Sequence, residues 1–257
     1  MRIVGMCLLV LLVPLSSLAQ PVDGECEEAR DTTGTLVADL GNVVATALPR
    51  PAVPARPAFR TTPPSLRDEL PFHVRGLDDT KLETALRAYR RANDRGLVAN
   101  PRLTIIDYSM PSTQRRMWVI DPESGVVIMN ELVAHGQGSG DNVATRFGNT
   151  NDSHRTSLGV FRTAETYQGK HGHSLKLDGK DPGVNDAARA RAIVIHAADY
   201  VSDAFARSHG RLGRSHGCPA VNPGVSRRLI DEIRGGSIVV SFGGDDAWVA
   251  RSPLARP

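Results

Sequence analysis

The sequence predicts a mainly β domain with flanking helices, and three observations carry that expectation. Short runs rich in β-branched and apolar residues, RLTIIDYS, RMWVIDP, GVVIMNELVAH, RAIVIHAA and SIVVSF, recur between residues 102 and 242. A helical periodicity stands before the first run and another before the last. The 257 residues supply enough chain for one substantial core, with room for a small second unit.

Asp78 or Asp79 can cap the first helix, expected over 78–95, in which Leu82, Ala85, Leu86 and Tyr89 share a face and Gly96 ends the pattern. The second and third β-rich runs are joined by Pro122-Glu123-Ser124-Gly125, which suits a hairpin turn, so an antiparallel sheet is expected. From His135 to Asp186 the chain is rich in Gly, Ser, Asn, Asp and His and reads mostly as loop, ordered enough to build a site. RAIVIHAA then reads as a strand with His196 near its end; its alternation puts Val194 and His196 on one face and Arg191 on the other. Asn222-Pro223 opens a helix carrying Val225, Leu229, Ile230 and Ile233 on one side, and Gly235 closes it.

The N-terminus reads as a signal peptide. Arg2 precedes a short apolar stretch, and Ser17-Leu18-Ala19 places small residues at a cleavage position, so residues 1–19 are expected to be removed on export to the periplasm or cell envelope, with an uncleaved anchor as the rival reading. No later run is apolar enough to cross a bilayer, so no stable span is expected after cleavage. Residues 20–64 read as a tail and linker, because Ala47 to Pro64 holds six prolines and no acidic side chain. The folded domain is then 65–245, with a C-terminal tail over 246–257.

Cys7 leaves with the signal peptide, which keeps Cys26 and Cys218 in the mature chain, too few for a disulfide-stapled domain. Oxidising surroundings could join these two; a free or intermolecular role for Cys26 is the preferred reading. With 31 basic and 28 acidic side chains, the charge is too balanced and dispersed to suggest a nucleic-acid partner.

Cys218 stands in GRSHGCPAVN, two residues after His216 and close in sequence to Arg211 and Arg214. A thiol attacks as its thiolate, which an imidazole, a cation or a helix N-terminus favours, and all three are on hand. The plainer reading is a small buried apolar cysteine.

IVIHAADYVSD followed by GRSHGCPAVN resembles the signature of the L,D-transpeptidases with a YkuD-type catalytic domain. The Gly-rich segment HGQGSGDNVATRFGNTNDSHRTSLGVFRTAETYQGKHGHSLKLDG is similar to the murein branch of that superfamily, and the likeness runs from about Leu103 to Phe242. The resemblance implies a β-sandwich-like fold and cysteine acyl transfer on peptidoglycan stem peptides. Carried over, Cys218 is the nucleophile and His196 its base, while Ser215, His216 and Gly217 shape the turn and help build the oxyanion hole. A carbapenem would also acylate Cys218. No metal or other cofactor is implied, and a wall-linked protein is a further candidate acceptor.

Two departures are visible. Eighteen residues separate His196 from Ser215, slightly more than the common pattern, and Ala220 stands where many relatives carry Asn or Arg. Ala197 follows the histidine, so a group orienting the imidazole there must be a backbone carbonyl. Arg211 and Arg214 are candidates to meet substrate carboxylates, and Tyr167 to stack along the stem peptide; solvated arginines and a packing tyrosine are the plainer readings. Three rivals remain: hydrolysis of the same bond by an L,D-carboxypeptidase or endopeptidase, a zinc peptidase built on the scattered histidines, and a wall-binding module without activity. Neither H-E-x-x-H nor a paired C-x-x-C supports the zinc reading.

Overall fold

The computed structural model describes residues 71–257. The signal peptide expected over 1–19, the linker over 20–64 and Cys26 lie outside the described residues.

The first helix, α1, spans Asp79–Asp94, and the Asp78 carboxylate caps it by accepting from Lys81 N–H. Leu82, Ala85, Leu86, Ala88, Tyr89 and Ala92 line its buried face. Taking a side chain such as Leu82 fully out of water contributes about 1.5–3 kcal/mol.

Nine strands follow: β1 Leu103–Asp107, β2 Met117–Ile120, β3 Val127–Glu131, β4 Val133–Ala134, β5 Gly159–Gly169, β6 Gly172–Gly179, β7 Val194–Ala197, β8 Ala220–Val221 and β9 Ile238–Phe242. Helix α2, Asp203–His209, lies between β7 and β8, and α3, Pro223–Ile233, between β8 and β9. The strands run side by side in the order β3-β2-β1-β9-β5-β6-β7-β8-β4. The domain is therefore mainly β with flanking helices, as expected. Helix α1 packs on β1 and β9, and α3 on β6 and β7.

The sheet is mixed where the sequence suggested an antiparallel one. β1 pairs with β9 in parallel, and so does β7 with β8. Both pairs join segments distant in sequence through crossovers, and local patterning carries no information about such partners. The expected hairpin is present: Asp121 accepts from the N–H groups of Glu123 and Ser124 through its carboxylate, and Gly125 takes φ 74°.

The segment 135–186 holds more strand than its composition suggested. β5 and β6 form an antiparallel hairpin inside it, with Val160, Phe161, Thr163, Ser174, Leu175 and Leu177 buried. Thr and Ser take several inward positions, so the period-2 signal is diluted. Helix α2 also escaped sequence reading, although Ser202 caps it and Gly210 ends it in a left-handed conformation.

Residues 246–257, expected to form a tail, fold back onto the domain. Trp248, Leu254 and Ala255 are buried, the Ser252 hydroxyl donates to Asp181 at 2.5 Å, and Arg87 and Arg95 of the α1 region donate to the carbonyls of Ala255 and Pro253. Interleaved polar residues hide this anchor, whose partners are brought together only by the fold.

Candidate active site

His196 is the third residue of β7, and the parallel pairing with β8 sets it opposite Ala220. Its backbone N–H donates to the Pro219 carbonyl at 3.3 Å, so the histidine strand is stitched to the residue that follows Cys218. On the other side, Ser215 N–H donates to the His135 carbonyl at 3.0 Å, and Gln137 N–H to the Ser215 carbonyl at 2.7 Å. The turn 215–218 is thereby clamped between β7 and the chain that leaves β4.

Within the turn, the Ser215 hydroxyl donates to the Cys218 carbonyl at 2.7 Å and accepts from Gly217 N–H at 3.1 Å. Gly217 has φ 123°, where a side chain would be strained and its Cβ would lie 2.9 Å from the Arg155 carbonyl oxygen. Thr156 braces the turn from below, accepting from Gly136 N–H and donating to the Gly217 carbonyl.

Cys218 is 1% exposed, and its thiol donates to the Ala192 carbonyl at 3.7 Å. His196 is equally buried. Its Nδ1 lies 2.9 Å from the carbonyl of Ala197, so Nδ1 carries the proton and Nε2 is left as a bare base. That Nε2 is buried and meets no hydrogen-bond partner, the thiol included. Burial holds the imidazole pKa down to about 4; the Ala197 carbonyl opposes this, and His171 adds to it. The His171 ring lies 4.5 Å from that of His196, tilted by 34°.

The other sequence candidates occupy different surroundings. His216 stacks on His154 with ring centroids 4.0 Å apart, and Gln137 holds His154 through Nδ1 at 2.8 Å. Arg214 donates to Asp141 at 2.9 Å and to the Gly140 carbonyl, while Arg211 lies 3.6 Å from the same carboxylate. Tyr167, on β5, packs against the core and under the Lys176 ammonium, 5.5 Å from its ring.

Arg191 lies outside the strand that the sequence suggested for it. The strand begins at Val194 and Ala192 takes φ 52°, so the alternation that pointed Arg191 away from His196 does not extend that far back. Its guanidinium donates to the carbonyls of Gly148 and Arg155 and to the Ser157 hydroxyl. Burial lowers its pKa, and the Cys218 sulfur acts in the opposite direction, so this cation and the thiol share an electrostatic neighbourhood.

A polar cluster behind the turn was also missed. Arg116, Tyr108 and His135 are almost wholly buried; Arg116 donates to His135 Nδ1 at 2.8 Å and to the carbonyls of Val133 and Met110, and lies 5.2 Å above the Tyr108 ring. Burial pulls Arg116 down to about 10; burial and then Arg116 pull His135 down to about 3, and burial pushes Tyr108 up. Arginine at the start of a strand usually reads as a surface charge, so no sequence signal marks it. Among the described residues, no group of three His, Cys, Asp or Glu side chains could hold a metal ion.

Residues 73–242, which include Cys218, His196 and the clamped turn, match the family model of the L,D-transpeptidase catalytic domain. The chain belongs to that family. Solved L,D-transpeptidase structures are similar at low identity. One from Mycobacterium smegmatis is 14% identical over 56% of this chain and 59% of its own, with a TM-score of 0.35. One from Stackebrandtia nassauensis is 17% identical over 65% and 67%, also at 0.35. L,D-transpeptidase 3 from Mycobacterium tuberculosis, in complex with a faropenem-derived adduct, is 11% identical over 55% and 60%, at 0.37. The L,D-transpeptidase domain described here thus spans about three fifths of the length of the mycobacterial proteins. No curated protein matches the chain.

Proposed function

We propose that this chain is an exported peptidoglycan L,D-transpeptidase that works through a thioester on Cys218. The observation that carries the reading is the β7–β8 pairing, which joins the histidine strand to the residue after the cysteine inside the family-matched segment.

In this mechanism the Cys218 thiol gives its proton to His196 Nε2 and its sulfur attacks the carbonyl of a donor stem peptide. The amide C–N bond breaks, His196 returns the proton to the departing amine, and the acyl group remains on sulfur. An acceptor amine then attacks the thioester, forms the new amide and restores the thiol. The bare, buried Nε2 suits the base, and the Arg191 cation favours negative charge on sulfur. Because Gly217 N–H is engaged with Ser215, these two residues set the shape of the turn, and holding the developing oxyanion is left to the remaining backbone N–H groups around Cys218. The thiol and Nε2 come into hydrogen-bond contact only once substrate is seated, when catalytic contacts commonly tighten.

Transfer and hydrolysis of the thioester differ in how well water is excluded from it while the acceptor amine is admitted. The linker over residues 47–64 would let the domain reach an immobile wall.

The test is incubation of purified protein with diaminopimelate-containing tetrapeptides, followed by mass spectrometry. An acyl adduct on Cys218 and cross-linked dimers are expected, both absent from Cys218→Ala. Turnover by Cys218→Ser at the native rate would reject the thioester, and tripeptides without dimers would assign hydrolysis instead.

A further inference from the structure

His171 is left without a task by the mechanism above. It sits between β5 and β6, at the tip of the hairpin, and its ring rests on that of His196 at 4.5 Å. On both rings Nε2 is buried and has no hydrogen-bond partner, yet the His171 residue as a whole is only half-buried. An imidazole that rests on the base and belongs to a residue only half-buried stands between the enclosed site and solvent, although the two rings share no hydrogen bond in this state. Leaving two such nitrogens unpaired costs stability, since a buried polar atom without a partner forfeits the hydrogen bond that water would supply.

The chemistry has a step that needs such a connection. An amine acceptor reaches the thioester from solution as an ammonium with three N–H bonds. One hydrogen stays in the new amide, and a second returns to the Cys218 sulfur by way of His196. The third must leave the enclosed site as a proton. Hydrolysis makes no such demand, because the carboxylic acid product carries its extra proton away and releases it in solution.

We propose that His171 is a proton-relay residue that carries this third proton from the His196 side of the site to solvent. The proposal rests on the transpeptidase reading of Cys218 and deepens it. His171 acts through its neighbour, and its role is confined to acceptors that arrive charged.

The experiment compares native protein with His171→Gln in three reactions: acylation of Cys218 by a donor peptide, transfer to a primary alkyl ammonium acceptor, and transfer to hydroxylamine, which is uncharged at neutral pH. Acylation and transfer to hydroxylamine are expected to proceed at native rates, while transfer to the ammonium acceptor falls by about 10²-fold and the product balance shifts toward hydrolysed peptide. His171→Ala should show the same selective loss, and added imidazole should restore transfer. Native rates with all three substrates would overturn the proposal, as would a parallel loss in all three that imidazole leaves unchanged. If native protein itself forms no adduct on Cys218, the thioester reading fails, which is a different result from an adduct that forms normally and transfers without need of His171.

Discussion

The hydroxyl of Ser215 closes a ring with Cys218: it donates to the carbonyl of that residue at 2.7 Å while accepting from Gly217 N–H at 3.1 Å. A single oxygen thus satisfies both ends of the turn that presents the thiol. Ser215→Ala strands a buried N–H and a buried C=O, which costs about 1–3 kcal/mol. Thermal unfolding should reveal that loss, and acylation of Cys218 by a carbapenem should slow further than the stability change explains. An unchanged acylation rate would show that the turn holds its shape without this oxygen.

Arg191 predicts an electrostatic effect on the thiol. Replacing it with Gln removes a positive charge that favours the thiolate, so the midpoint of carbapenem acylation against pH should move upward and the rate at neutral pH should fall. A midpoint that stays in place in a folded variant would confine Arg191 to bracing the loop at Gly148 and Arg155.

Acid should destabilise the domain through its buried histidines. The His196 pKa falls from 6.5 to about 4 on folding, so between those values the unfolded chain binds a proton that the folded one refuses. The stability is fully present above pH 6.5 and is lost as pH falls through 4, by an amount on the order of 3 kcal/mol. Denaturant titrations of native protein and His196→Asn across this range should diverge; parallel curves would mean that the folded imidazole titrates normally.

Gly136 predicts a steric effect. A Cβ there would lie 2.3 Å from the His154 carbonyl oxygen and 2.8 Å from Gly217 N, both backbone atoms that cannot swing aside. Gly136→Ala should therefore lower the melting temperature and displace the 215–218 turn, reducing acylation of Cys218. Gly172→Ala is the comparison: it meets no steric contact but sits at φ 73°, so its cost is limited to backbone strain of roughly 1–3 kcal/mol. Equal acylation rates for native protein and Gly136→Ala would contradict the prediction.

Some of this was legible in the residues and some was not. α1 and α3 were readable because caps and periodicity are local: Asp78 caps α1, and Asn222 with Pro223 opens α3. The β5–β6 hairpin was hidden because Thr163 and Ser174 fill inward positions that a hydrophobic pattern assigns to apolar side chains. Arg191 could not be placed from strand alternation because Ala192 at φ 52° breaks the extended chain before β7 begins at Val194.

The sequence by itself determined the β-rich class, the candidate pair Cys218 and His196, and a signature of neighbouring residues that resembles one enzyme family. Tertiary structure alone decided that β7 lies parallel to β8, that Arg116 is buried behind the turn, and that His171 rests on His196. The division has a physical cause. Caps, turns and motifs depend on residues a few positions apart, whereas strand partners, burial and electrostatic neighbours depend on which distant segments the core draws together.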